Sequence, residues 1–107
     1  MAEPTLIQIF GAGASQDATT VTILKSDIGV TASAASGEAI LAGMTLKAKD
    51  YLTQTNYDAN IDQSIVIAEG FPGFANRGED SIQYRNDEIS ITFSKVDSAA
   101  TLDPNDY

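Results

Sequence analysis

The sequence contains no cysteine, no histidine and no tryptophan among its 107 residues. Without cysteine, the chain can form neither a disulfide framework nor a zinc site with thiolate ligands. Without histidine, Ser-His and Cys-His catalytic pairs and histidine-ligated metal centres are excluded as well. We therefore expect a protein that is not an enzyme and that carries no cofactor.

Basic residues are scarce: 6 Lys and Arg stand against 15 Asp and Glu, for a net charge of -9. Because the phosphate backbone of nucleic acids attracts Lys and Arg, this charge argues against a nucleic-acid partner. No stretch approaches the ~18 consecutive apolar residues of a membrane span. The acidic start also lacks the pattern of a signal peptide. We expect a protein made in the cytoplasm and kept there, or packaged directly from it, with no membrane partner.

Small side chains dominate the composition, since Ala, Gly, Ser and Thr account for 42 residues. The apolar fraction of 43% is enough for a core. Each small side chain buries little area, however, and a buried CH₂ group contributes only about 0.8 kcal/mol. We predict one domain over residues 1–107 that is modestly stable alone and gains from a homo-oligomer or another partner.

Two strands are predicted in the first quarter of the chain. Residues 5–10 are crowded with apolar, partly β-branched side chains, and residues 19–25 give the clearest strand signal of the sequence. The loop at residues 11–17 contains two glycines and could join the two strands as a hairpin.

One amphipathic helix is predicted over about residues 37–54. Ser36 is suited to the N-cap, and Glu38 lies in the first turn, where the helix dipole favours an acid. The apolar stripe follows three- and four-residue spacing and consists of Ile40, Leu41, Met44, Ala48, Tyr51 and Leu52.

The second half of the chain alternates polar and apolar segments. The pattern predicts a loop at 56–63, a strand at 65–67, a long loop at 69–80, strands at 81–85 and 88–94 around a tight turn at 86–87, and an extended or flexible acidic tail at 97–107. The predicted class is α+β, with about five mostly antiparallel strands in a small sandwich or barrel-like arrangement and the one helix between them.

Two segments have partial matches to ligand-binding motifs. Gly11 and Gly13 follow a predicted strand as in a dinucleotide fingerprint, but Gln16 stands where the third glycine belongs, which favours a flexible loop. A calcium loop is weakly matched by its acidic and amide positions, but it lacks the central glycine and the exiting helix; these positions are Asp58, Asn60, Asp62 and Glu69. We expect a solvated turn there and no metal.

Aromatic residues mark the candidate contact surface. Phe71 and Phe74 lie in the predicted loop at 69–80, and Arg77 is close by. The two rings can fold over the core as a lid, or they can form an exposed anchor for a neighbouring chain, since aromatic residues and Arg are enriched at interface hot spots. Tyr107, in the acidic tail, is a further candidate because such ends can become ordered on neighbouring subunits.

Several stretches together resemble small proteins encoded in the structural-gene regions of tailed bacteriophages, particularly phages of cyanobacteria. The resemblance covers most of the chain and is compositional; it is found at residues 10–23, 46–52, 62–67, 74–78 and 89–93. In its acidic, Ala- and Thr-rich character, the chain is also similar to capsid decoration (cement) proteins. The resemblance brings no catalytic or ligand residues with it.

The resemblance implies a virion component, assembled in the host cytoplasm, whose partners are other virion proteins such as the major capsid or tail proteins. A capsid decoration subunit is the first expectation. A tail, neck, baseplate or fibre-associated protein is the second, and a small cytoplasmic binding or adaptor domain is the third.

Overall fold

The computed structural model describes residues 4–97 and 101–107. Within this part of the chain lie helices α1 (Leu6–Phe10), α2 (Gly37–Lys49) and α3 (Gln54–Ala59), and strands β1 (Ser15–Gln16), β2 (Val21–Thr22), β3 (Ile65–Glu69), β4 (Gly73–Arg77), β5 (Ile82–Asn86) and β6 (Ile89–Phe93). The predicted α+β class with antiparallel strands is confirmed. The strands form three open two-stranded pairs. Among the described residues, the strands do not close into a barrel.

The segment predicted as the first strand, residues 5–10, is instead the short helix α1. The Thr5 hydroxyl accepts a hydrogen bond from the Gln8 N–H (3.3 Å), and the Gln8 side chain accepts one from the Thr5 N–H (2.9 Å). This reciprocal capping box satisfies two backbone donors at the helix start. Local capping therefore outweighs the strand preference of the apolar side chains, and Gly11 ends the helix at a φ of 111°.

The predicted strand at residues 19–25 is reduced to β2, which pairs with β1. The Asp17 carboxylate accepts hydrogen bonds from the N–H groups of Thr19 (2.9 Å) and Thr20 (2.8 Å). These bonds hold the backbone in a turn, as aspartate commonly does. The chain then enters a 3₁₀ helix at Lys25–Ile28, so the strand has no room to extend.

Helix α2 begins where the sequence predicts, because the Ser36 hydroxyl accepts a hydrogen bond from the Ala39 N–H (3.1 Å). It ends earlier than predicted, at Lys49. Thr53 caps α3 by accepting a hydrogen bond from the Asn56 N–H (3.1 Å), and α3 replaces part of the loop expected at 56–63. The expectation of one helix is therefore wrong.

The core is small. It lies where α2, the segment at residues 50–52 that follows it, and β3 meet. Its buried cluster is Ala48, Leu52 and Ile67, with Ile9, Ile65 and Ile89 packed against it. Leu41 belongs to the predicted apolar stripe but is 65% exposed, so the buried face of α2 is narrower than expected.

Two buried amides lie at the corner between α3 and β3, and Gln63 is the one that joins the two elements. The Gln63 side-chain N–H groups donate to the carbonyl oxygens of Thr53 (3.1 Å) and Ile65 (2.9 Å). The Asn60 amide donates to the Asn56 carbonyl (2.9 Å). Because buried carbonyl groups need partners, these side chains hold the corner between the helix and the strand.

Strands β3 to β6 form one long, bent hairpin. β3 pairs with β6 and β4 pairs with β5, both antiparallel, and the register changes by one residue between the two pairs. Phe71 and Pro72 thus stand opposite Asp87 alone. This extra residue is a β-bulge, which bends a hairpin and increases its twist.

The bulge explains why the segment at residues 69–80, predicted as one long loop, contains a strand. Pro72 has no N–H to give to a strand ladder, but at a bulge none is needed, so a strand resumes directly after it. The predicted loop at 69–80 therefore contains β4. The chain reverses at residues 78–81, where Gly78 (φ 83°) and Ser81 (φ 48°) adopt left-handed conformations. The tight turn predicted at 86–87 is wrong: Asn86 ends β5, and the chain continues through residues 87–88 into β6 on the same side of the hairpin, because β5 pairs with β4 and β6 with β3.

The molecule is extended for its length. The Cα radius of gyration is 16.6 Å, whereas a compact domain of this size has about 13 Å. No helix within residues 4–97 and 101–107 is long and apolar enough to cross a bilayer.

Candidate functional site: the hairpin arm

The distal half of the long hairpin, residues 71–87, is exposed on both faces; we call it the hairpin arm. Each residue of β4 and β5 is exposed, whereas the proximal strand β3 contains buried residues. A two-stranded hairpin without cover is marginally stable in water. The arm therefore has two open faces on which another protein could pack.

One face of the arm has a cation-π pair. The Arg77 guanidinium lies 5.0 Å from the centroid of the Tyr84 ring. Ile82 is the cross-strand partner of Arg77, and its side chain is 57% exposed. Tyr and Arg are the residue types most often found at interface hot spots, and here they are already held in contact with each other.

The other face and the bulge present the two phenylalanines. Phe74 is 64% exposed and Phe71 is 93% exposed. Neither ring covers the core, so the lid interpretation is wrong. Arg85 lies opposite Phe74, and its Nε is 2.9 Å from an Asp87 carboxylate oxygen. Both arginines of the sequence thus lie on the arm, together with three aromatic side chains.

The exposed area of the whole chain is also large. Its accessible surface is 8029 Å², about 2300 Å² more than a compact monomer of this mass exposes. A standard interface covers about 800 Å² on each partner. The excess is therefore large enough for more than one contact surface.

A groove and a carboxyl outside the arm can be judged as candidates for chemistry. A groove of about 590 Å³ between residues 28–36 and α2 is lined by apolar, glycine, Ser and Thr residues, and no charged side chain lines it. Hydrogen bonds from the backbone N–H groups of Thr19 and Thr20, and then from the Thr20 hydroxyl, lower the pKa of Asp17 from 3.8 to about 2. This carboxyl is exposed and stays ionised at neutral pH, so it is unsuited to act as a general acid.

The residues of the weak calcium candidate are dispersed. Asp58 accepts a hydrogen bond from the Gln54 side chain (2.9 Å), and Glu69 forms an ion pair with Lys49. Asn60 is only 3% exposed and donates to the backbone. In the described part of the chain, no three acidic side chains come close enough to hold a metal ion, so Asp58, Asp62 and Glu69 do not form one site.

The two glycines of the partial nucleotide motif have a packing role. The Gly13 N–H donates to an Asp27 carboxylate oxygen (2.9 Å). A Cβ atom at Gly11 would lie 2.3 Å from the Asp27 Cβ, and one at Gly13 would lie 2.1 Å from a Leu24 methyl carbon. Glycine is required here because the loop packs directly against the 3₁₀ helix.

The described part of the acidic tail, residues 101–107, contacts β6. The Tyr107 ring lies 5.2 Å from the Phe93 ring between centroids, and Lys95 pairs with Asp106 (3.0 Å). Residues 98–100 of the predicted tail, and residues 1–3 at the acidic start, lie outside the described residues. Tyr107 therefore contacts its own chain rather than joining Phe71 and Phe74 on the arm.

The sequence reasoning missed Ile82, Tyr84 and Arg85 as parts of the candidate site. The available signal was the alternation of Ile82 and Tyr84 with Gln83 and Arg85, which is typical of a strand exposed to different surroundings on its two faces. The sequence does not reveal their cross-strand partners, because the Gly and Pro content of residues 69–80 predicts a loop where β4 lies.

Comparisons with known proteins identify no relative of this chain: no family model matches it, and no similar curated protein or solved structure is found. Its function must therefore be inferred from its own residues and their geometry.

Proposed function

We propose that this chain is a non-enzymatic virion structural protein, and that its hairpin arm packs against neighbouring protein subunits. The single observation that carries the proposal is the arm itself, which has two exposed faces with aromatic and arginine side chains and no cover of its own. Such a surface is typical of a protein whose fold is completed by assembly.

Within this proposal, a capsid decoration subunit is the first choice and a tail, neck, baseplate or fibre-associated component is the second. The resemblance to phage structural-gene products and the small-residue composition support this setting. The mechanism is physical: burial of the arm between subunits ties them together without any chemical step. The other virion proteins, or further copies of this chain, are the partners.

The sandwich-like packing expected from the sequence belongs to the same proposal. The paired strands are open, and a second layer over the arm would have to come from a neighbouring subunit. Assembly would then create a layered β structure that the described strands do not form among themselves.

Mass spectrometry of purified particles from the source tests the virion assignment, with copy number measured relative to the major capsid protein. Hundreds of copies are expected for a decoration subunit, whereas a neck, baseplate or fibre component is present in far fewer. Complete absence from the particles would overturn the proposal and leave the cytoplasmic adaptor domain as the working hypothesis.

The role of the arm is tested with the double variant Phe71→Ser/Phe74→Ser. The matched control is Ile61→Ser/Val96→Ser, which removes two apolar side chains that are 98% and 90% exposed but lie outside the arm. The arm variant should fold as the original chain does but be lost from particles, whereas the control should be retained. Equal retention of both would contradict docking through the arm.

A further inference from the structure

The last strand, β6, has one unpaired edge. The Gly70 N–H donates to the Glu88 carbonyl (2.7 Å), and the Ser94 N–H donates to the Ser64 carbonyl (2.7 Å). Every second residue of an antiparallel strand bonds to its partner strand, so the even-numbered residues from 88 to 94 direct their backbone groups towards β3. The backbone N–H and C=O groups that point away from β3 are therefore those of Ile89, Ile91 and Phe93. No described backbone group outside β6 pairs with them.

Within Ile89–Phe93 this edge lacks the charges, prolines and bulges that usually protect a strand from pairing. Its sequence, Ile-Ser-Ile-Thr-Phe, contains no charged residue and no proline, and its ladder with β3 is regular. Ile91 stands opposite the buried Ile67 and so faces the core side, yet it is 45% exposed, and Phe93 is 47% exposed. The side chains on the core-facing side of β6 are therefore only partly covered by the described residues of this chain.

We propose that a second copy of this chain covers the edge, with the two β6 strands antiparallel around a twofold axis at Ile91. Ile91 then faces Ile91 of the second copy, and Ile89 faces Phe93. Each of these residues has its backbone groups directed outward, so the register is compatible with hydrogen bonding. The product is a four-stranded sheet built on the edge of β6, with Asp87 at the base of the hairpin arm as its outermost paired residue.

Charge complementarity supports this register. The axis at Ile91 places Asp87 of each copy opposite Lys95 of the other, at the two ends of the paired strands. Lys95 already donates to the Thr101 carbonyl (3.2 Å) and to the Asp106 carboxylate (3.0 Å). An ammonium group has three N–H donors, so one is left for Asp87 of the second copy, whose carboxylate can accept it in addition to the bond from its own Arg85.

Neighbouring registers bring like charges together. An axis one residue closer to the N-terminus would place Arg85 opposite Lys95 of the second copy. An axis one residue closer to the C-terminus would place Asp87 opposite Asp97. Like charges directly opposite each other on paired strands are destabilising. The sequence around β6 is therefore self-complementary in one register and repulsive in the two next to it.

Sedimentation equilibrium of the full chain is the first test. Ile91→Lys places two ammonium groups at the axis and should raise the dimer dissociation constant at least tenfold, which corresponds to about 1.4 kcal/mol. Ile61→Lys makes the same change at a position that is 98% exposed and lies outside both β6 and the arm, and it should leave the constant unchanged. A monomeric original chain, or dissociation by Ile61→Lys but not by Ile91→Lys, would overturn the proposal.

Disulfide cross-linking tests the register without depending on Ile91→Lys. The chain has no cysteine, so single cysteines can be introduced by Ser90→Cys, Ile91→Cys and Thr92→Cys. In an antiparallel hydrogen-bonded pair the Cα atoms are about 5.5 Å apart, within the range of a disulfide. Oxidation should link dimers of Ile91→Cys most efficiently. Strongest linkage at position 90 or 92, or none at all three, would overturn the proposed axis.

Discussion

The two halves of the long hairpin differ sharply in their surroundings. The proximal half, β3 with β6, packs against the helices and supplies Ile67 to the core. The distal half, β4 with β5, has strands of the same length but contacts no other helix or strand to a comparable extent. The same supersecondary structure thus serves as core in one half and as an exposed surface in the other.

The difference separates the half of the hairpin that supports the fold from the half that we propose for assembly. A β-bulge at Phe71 and Pro72 separates the halves and directs the arm away from the covered part of the hairpin. Substitutions in the proximal half should therefore alter the stability of the free chain. The same substitutions in the arm should alter only its association with partners.

The largest expected effect comes from the matched pair Ile67→Ala and Ile82→Ala. Ile67 is 6% exposed in the core cluster, so its truncation should lower the free energy of unfolding by about 2–5 kcal/mol. Ile82 is 57% exposed on the arm, and its truncation should change stability by no more than about 0.5 kcal/mol. Urea unfolding of both variants measures the contrast, and equal losses would show that the arm belongs to the core.

The buried amide gives a second, smaller contrast. Gln63→Ala removes the donors to the Thr53 and Ile65 carbonyls and should cost about 1–3 kcal/mol. Gln83→Ala, on the exposed strand β5, should be nearly neutral. The two midpoints of chemical denaturation provide the comparison. A neutral Gln63→Ala would mean that the corner between α3 and β3 is held by other contacts.

Capping of α2 should have a smaller effect still. Ser36→Ala deprives the Ala39 N–H of its acceptor and should lower stability by about 1 kcal/mol. Ser33→Ala, at an exposed position before the helix, serves as the control because the Ser33 side chain is not the N-cap. Thermal unfolding followed by circular dichroism measures both variants. Indistinguishable melting curves would argue against the assigned N-cap.

The smallest effect concerns pH and the β1–β2 hairpin. The pKa of Asp17 is lowered from 3.8 to about 2. The contribution of its ionised carboxylate to the stability of the folded chain is therefore fully present above pH 4. It is lost as the pH falls towards 2, through the pKa of the folded state. Asp17→Asn removes this titration. The amide chemical shifts of Gln16 and Val21 should change with pH over this range in the original chain and should be nearly independent of pH in the variant. Identical profiles in the two proteins would contradict the assigned hydrogen bonds.

The elements predicted correctly are those with strong local signals. Ser36 marks the start of α2, and the apolar run at residues 65–67 lies in β3. The alternating pattern at residues 88–94 likewise becomes β6. In each case one short segment contains both the cap or periodicity and the apolar residues, so no knowledge of distant partners is needed.

The errors arise where one local signal competes with another or where pairing is distant. Residues 5–10 look like a strand, but the capping box between Thr5 and Gln8 forms a helix. Pro72 and Gly73 look like a loop, but the bulge accommodates the proline and a strand begins at the glycine. Phe71, Phe74 and Arg77 were identified as contact candidates by residue type, whereas their exposure depends on pairing that the sequence does not reveal.

Hydrogen exchange on the free chain and on the particle-bound chain tests the central claim most directly. In the free chain, amides of β3 and β6 that bond to each other should be protected, whereas those of β4 and β5 should exchange rapidly. On particles, β4 and β5 should become protected as the arm is buried. An arm that is already protected in the free chain, or one that stays unprotected on particles, would contradict the account.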